Sequence, residues 1–175
     1  RITSWKGQLE FIDVIKKIDT KNVSVLFAGD TKNESYTRLV KHKINQNNLS
    51  TICKVLGSIN QDEMRSLYQI ADLSVSFPLR AEGFGRTVSE SLYSKTPVLA
   101  FDYGGVKNQL ANLSEIFKVK PQDYQTLPEK IDKLLSLSED QNKAVLKSAQ
   151  SVIESNFSKK NMVNQYLKLY ESVKS

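Results

Sequence analysis

Glu82-Gly83-Phe84-Gly85-Arg86-Thr87-Val88-Ser89-Glu90 is the stretch on which the reading of this chain turns. It follows a short apolar run, Leu73-Ser74-Val75-Ser76-Phe77, that reads as a buried strand, and it leads into a helical pattern from Thr87 to Ser94. A strand, a glycine-flanked loop and a helix start make the place where an open α/β sheet takes ligands, because the helix's first amides lack partners of their own and attract anions. Gly83 and Gly85 let the backbone approach a ligand closely or adopt φ > 0. Glu82 and Glu90 add two acceptors suited to hydroxyl groups, so the stretch fits a ligand carrying both phosphate and sugar.

A second reading stands beside this one. Thr87-Val88-Ser89-Glu90 also matches an S/T-x-x-E capping box, in which Thr87 caps the helix and Glu90 reaches back to the Thr87 N–H. The residues alone leave both roles of Glu90 open.

The chain of 175 residues has the size of one ordinary domain with a real core. Its 39% apolar and 25% charged residues give a soluble globular composition, and no window approaches the roughly 18 uninterrupted apolar residues of a membrane span. No secretory signal pattern opens it. One cysteine, Cys53, excludes an internal disulfide and a cysteine metal cluster, and implies a reducing, cytoplasmic setting. Cys53 reads as a buried structural thiol and the single histidine, His42, as a surface residue in a polar helix. The net charge of +6 suits anionic small molecules or an anionic membrane surface touched peripherally. Its basic residues are scattered among acidic ones without interleaved aromatics, which argues against nucleic acid.

Outward from the central stretch, strands and helices alternate. Leu9, Ile12, Val14, Ile15 and Ile18 give a first helix after Lys6-Gly7. Val23 to Ala28 reads as a buried parallel strand ended by Gly29-Asp30, residues 33–46 as a polar helix, and Ile52 to Leu56 as a strand turning at Gly57. Asn60 with Glu63 forms a capping box opening a helix through Ile70. Strand Val98 to Phe101 leads to the glycine loop Asp102-Tyr103-Gly104-Gly105, a short helix over 106–112, a strand near Ile116 to Val119, and helices from Tyr124 onward. The alternation predicts a doubly wound, Rossmann-like parallel sheet of about five to six strands flanked by helices. Because the pattern opens directly on a helix, the chain reads as part of a longer one whose preceding strand lies before Arg1.

Taken in order, Arg1-Ile2-Thr3-Ser4-Trp5-Lys6-Gly7, Ala28-Gly29-Asp30, the E-x7-E pair Glu82 and Glu90 with their glycine bend, and Asp102-Tyr103-Gly104-Gly105 carry a family resemblance. The chain resembles the C-terminal, donor-binding domain of retaining glycosyltransferases of the GT-B fold, group 1 (family 4). The resemblance implies a Rossmann-like domain over 1–155 that binds a nucleotide-diphospho-sugar. It also implies a closing helix over 156–175, with Met162, Val163, Tyr166, Leu167, Tyr170 and Val173 on one face, packing toward an N-terminal domain outside this stretch.

The resemblance assigns roles as well. Arg1 and Lys6 would bind the donor diphosphate and stabilise its charge as the glycosidic bond breaks, although Lys6 also reads as an exposed residue at a helix start, where a cation is mildly unfavourable. Glu82 would contact the transferred sugar and Glu90 the ribose hydroxyls. The amides of Gly83, Phe84, Gly85, Arg86 and Thr87 would hold sugar and phosphates, with the base near Gly57 to Ile59. No metal or cofactor is implied. The full enzyme would transfer the sugar with retention to a glycan or lipid-linked acceptor bound by the other domain, in the manner of bacterial cell-envelope and lipopolysaccharide synthesis. By itself this stretch would bind donor without turnover.

One departure is visible. Val106-Lys107-Asn108-Gln109 stands where the family commonly places Pro-Glu after the two glycines, which puts an acidic donor contact in doubt. Three other readings compete: a nucleotide-sugar binding module, a plain Rossmann-like structural domain, and a glycoside hydrolase using Glu82 and Glu90. The hydrolase needs carboxyls on opposite sides of a scissile bond, whereas one strand-loop-helix turn puts both on the same side.

Overall fold

The computed structural model describes residues 1–173; Lys174 and Ser175, the end of the anticipated closing helix, lie outside the described residues. The elements follow the sequence pattern closely. Helix α1 (Gln8–Ile15) buries Ile12, Val14 and Ile15 of the apolar set read from the sequence and Phe11 besides, while Leu9 is partly buried and Ile18 falls beyond the helix. Then come β1 (Val25–Ala28), α2 (Glu34–Gln46), β2 (Cys53–Gly57) and α3 (Gln61–Ile70). The Asn60 and Glu63 side chains close a reciprocal capping box on α3, as predicted, and thereby satisfy two of its unpaired amides.

The second half holds β3 (Ser74–Ser76), α4 (Arg86–Tyr93), β4 (Val98–Phe101), α5 (Gly105–Leu110) and β5 (Lys118–Val119). Strand β4 is buried along its whole length, as expected of a parallel strand covered on both faces. Phe77 packs its ring between Phe11 and Phe101, with centroids 5.5 and 5.1 Å away, which ties α1 to the end of β3 and to β4.

All strand pairs are parallel, and they fall into two hydrogen-bonded sets, β1 with β2 and β3-β4-β5. The sequence predicts one continuous sheet. β1 turns its alternate amides toward β2, Val25 donating to Ile52 and Gly29 to Gly57, while Ser74 donates toward Pro97 on the β4 side. Between the two sets lies a cleft lined by Val25, Leu26, Phe27, Ala28, Val75, Ser76 and Phe77. At its rim the Arg1–Trp5 segment joins the two sets, with Ile2 N–H donating to Asp30 at 2.9 Å and Leu79 N–H to Trp5 at 2.7 Å.

The C-terminal third is helical: α6 (Leu127–Leu135), α7 (Glu139–Phe157) and α8 (Lys159–Val173). Helix α7 packs on α4 and buries Leu146, Ala149 and Ile153. It breaks at Ser158, whose ψ of 152° is extended backbone. Helix α8 buries no residue; Met162, Val163, Tyr166, Leu167, Leu169, Tyr170 and Val173 are all exposed.

Candidate functional site

The site is built where three segments meet at one end of the strands. The first is the entry segment, a short 3-10 turn over Ser4–Lys6 closed by Gly7 at φ +77°. Gly7 is required there, because a Cβ would also strike the Phe77 carbonyl. This contact, with the Leu79 to Trp5 hydrogen bond, presses Lys6 against the loop that follows β3.

The second segment is the glycine bend 82–85. The Lys6 ammonium donates to the Glu82 carboxylate, and the side chains are only 22% and 10% exposed. Lys6 also lies 4.6 Å from the Trp5 ring centroid. Arg1, Lys6 and Thr87 line one cleft with the ends of β1 and β3. Phe84, on the bend, stacks edge-on to Phe157 at the end of α7, with centroids 5.8 Å apart.

The third segment is the loop before α5. Gly105 N–H donates to the Glu82 carbonyl at 2.8 Å. A Cβ on Gly104 or Gly105 would collide with the backbone of residues 82–84, so the two glycines let two segments of backbone touch. Tyr103 donates its hydroxyl to the Pro78 carbonyl, and burial together with the nearby Glu82 carboxylate pushes its pKa up.

Of the two readings of Glu90, the Thr87 capping box does not form. The N-cap of α4 is Gly85, two residues before Thr87, at φ +81° and with no side chain capping it. A left-handed residue makes the turn, so Thr87 falls at the second helical position and Arg86 and Glu90 share a face at i, i+4. Glu90 accepts from Arg86 Nη2 at 2.6 Å and Nε at 3.0 Å, and stands 3.5 Å from the Tyr68 hydroxyl. Burial, and then the Glu90 charge, push the Tyr68 phenol up to about 12. Two cations, Lys6 just before α1 and Arg86 on the first turn of α4, thus stand at helix N-termini, where the helix dipole opposes positive charge, and each is met by a carboxylate, Glu82 and Glu90 respectively.

Arg1, Lys6, Glu82, Gly83, Phe84, Gly85, Arg86, Thr87 and Glu90 therefore occupy one end of the sheet. Gly57, at φ +80°, is not among the residues lining the cleft; it reaches the same edge through its carbonyl, which accepts from Gly29 at 2.9 Å. Asn108, at the departure from the family pattern, is exposed, while Gln109 beside it is fully buried. Sequence reasoning passed over Trp5, Tyr68 and Gln109 as site residues. Only Trp5, adjacent to Lys6, carried a local signal; the other two are recruited by packing. His42 is exposed, and Cys53 is buried with its thiol pushed up to about 11 by that burial.

The family model for glycosyl transferases group 1 matches residues 1–151. A trehalose synthase from Thermococcus litoralis is 28% identical over 98% of this chain and 42% of its own length. The crystal structure of a glycosyltransferase from Rickettsia africae superposes with a TM-score of 0.90 at 30% identity, covering 99% of this chain and 46% of that one. Anabaena HepE, solved in complex with UDP and glucose, has a TM-score of 0.85 at 24% identity over 98% of this chain and 46% of that one, a likeness of fold. The chain spans a little under half the length of these relatives.

Proposed function

This chain belongs to the glycosyl transferases group 1 family, and from that premise we propose that it is the donor-binding half of a retaining sugar transferase that uses a nucleotide-diphospho-sugar. The observation that carries the reading is the meeting of Lys6 with Glu82 at the rim where the uncapped start of α4 opens. Cations and free amides suit the diphosphate, and the carboxylates suit hydroxyls. A fold neighbour crystallised with UDP and glucose is consistent with a ligand of this class.

In the proposed reaction the bond between the sugar's anomeric carbon and the diphosphate oxygen breaks, and a bond from that carbon to the acceptor oxygen forms on the same face. The acceptor's hydroxyl proton passes to the departing phosphate, so no base from this half is needed. Arg1 and Lys6 meet the negative charge that grows on the leaving group; well-placed donors of this kind are each worth roughly 10²–10³ in rate. Glu82 orients the transferred sugar, Glu90 the ribose, and the backbone near Gly57 the base. With charge met by side chains and amides, the reading assigns no metal or cofactor to the site.

The exposed face of α8 and the cleft between β1 and β3 are proposed to be completed by chain outside this stretch, the cleft by an extended strand running into Arg1 alongside Ala28 and Leu26. The acceptor is a glycan or lipid-linked sugar at a membrane surface. Among the described residues no helix is long and apolar enough to cross a membrane. A second reading, a small soluble sugar as acceptor, is favoured by the similarity to trehalose synthases over nearly the whole chain. A screen of sugar nucleotides against the full-length chain, with lipid-linked and free sugars as acceptors and the product anomer read by NMR, tests both. Inversion of configuration, or no transfer from any donor, would count against the assignment.

A further inference from the structure

Gln109 is fully buried on α5, yet its side chain serves another element. Its Nε2 donates to the Phe84 carbonyl and lies 3.4 Å from the Gly85 carbonyl, while its Oε1 is buried without a hydrogen-bond partner. Leaving half of a buried amide unpaired is costly, so the position is poorly explained by packing alone. Gly105 N–H holds the Glu82 carbonyl from the same side, and the Val106 side chain would be struck by a Cβ on Gly85.

The carbonyls of Glu82 and Phe84 are therefore held by the 105–109 segment, whereas the Gly85 carbonyl accepts from Val88 N–H at 3.0 Å within the first turn of α4 and has Gln109 Nε2 only at 3.4 Å. In a trans peptide the N–H points opposite to the C=O, so the amides of Gly83 and Gly85 are turned away from α5. We propose that Gln109 is a positioning residue: it fixes the peptide plane at Phe84-Gly85 so that the Gly85 amide faces the donor diphosphate. It does so without touching the donor. The inference rests on the donor-site reading and adds to it the element that sets the amide geometry.

Gln109→Leu and Gln109→Met remove the donated hydrogen bonds with apolar side chains of similar size, and Gln109→His retains an N–H donor. In the full-length chain, UDP, GDP and ADP are titrated by calorimetry, with folding followed by far-UV circular dichroism and order at the Gly85 amide by NMR relaxation. Leucine and methionine variants should stay folded, show a more mobile Gly85 amide and bind the nucleotide at least about tenfold more weakly, with histidine recovering part of the loss. With a sugar nucleotide as substrate, KM should rise more than kcat falls. A folded Gln109→Leu or Gln109→Met chain with parental affinity and a parental Gly85 amide would overturn the proposal. If the leucine variant does not fold, the methionine variant decides. If the parent binds none of the three nucleotides, the donor reading fails, while the Gly85 relaxation still reports whether Gln109 orders the bend.

Discussion

Lys6 and Glu82, separated by 76 positions in sequence, form an ion pair that joins the entry segment to the glycine bend. With the Glu82 side chain only 10% exposed, removing the ammonium leaves a carboxylate that water reaches poorly. Lys6→Ala should lower stability by about 1–3 kcal/mol. Adding Glu82→Ala should recover part of that loss, which urea denaturation of the four members of the double-mutant cycle would measure. Additive losses would mean that the pair contributes nothing to holding the bend.

Glu90 provides a separate test, because it pairs with Arg86 instead of capping α4. Its partner is 71% exposed, and exposed i, i+4 pairs contribute little. Glu90→Ala should therefore change stability by no more than about 0.5 kcal/mol, while weakening binding of the nucleotide. A larger loss of stability with unchanged affinity would restore the capping role.

The glycines divide by what surrounds them. Gly57 has φ +80° but open space around a would-be Cβ, so Gly57→Ala should cost only the left-handed backbone penalty of about 1–2 kcal/mol. At Gly105 the Cβ would enter the Gly83 carbonyl, so Gly105→Ala must push the bend away from α5. Thermal unfolding and nucleotide titration should show Gly57→Ala reducing stability more than affinity, and Gly105→Ala reducing affinity more steeply.

Burial raises the Cys53 thiol from 9.0 to about 11 and the Tyr68 phenol from 10.0 to about 12. The folded chain keeps protons that the unfolded chain releases, so this contribution is complete below pH 9 and is lost as the pH climbs from about 9 toward 12. Denaturation midpoints should fall across that window, and the fall should be shallower in Tyr68→Phe.

The alternation of apolar runs and helical patterns located β1 to β5 and α1 to α5 within a few residues, since parallel strands buried on both faces leave continuous runs such as Val98 to Phe101. The Asn60 and Glu63 capping box was legible because both partners lie within one turn. The Thr87 box, one of two readings left open for Glu90, is equally local, but Gly85 takes the N-cap two residues earlier. The division of the strands into two hydrogen-bonded sets depends on which edges face one another, which no single run records. Gln109 was hidden because its partners lie 24 and 25 positions away, on a bend brought near only by Gly104 and Gly105. Lys6 and Glu82 were singled out by family pattern, and their contact is supplied by the packing of Gly7 on Phe77.

The measurement that bears most directly on the whole account is calorimetric titration of UDP, GDP and ADP into the full-length chain and its Lys6→Ala variant, with and without EDTA. At least one nucleotide should bind the parent, EDTA should leave the affinity unchanged, and Lys6→Ala should weaken it at least about tenfold. Binding of none of the three to the folded parent, or equal binding to Lys6→Ala, would contradict the donor-site reading.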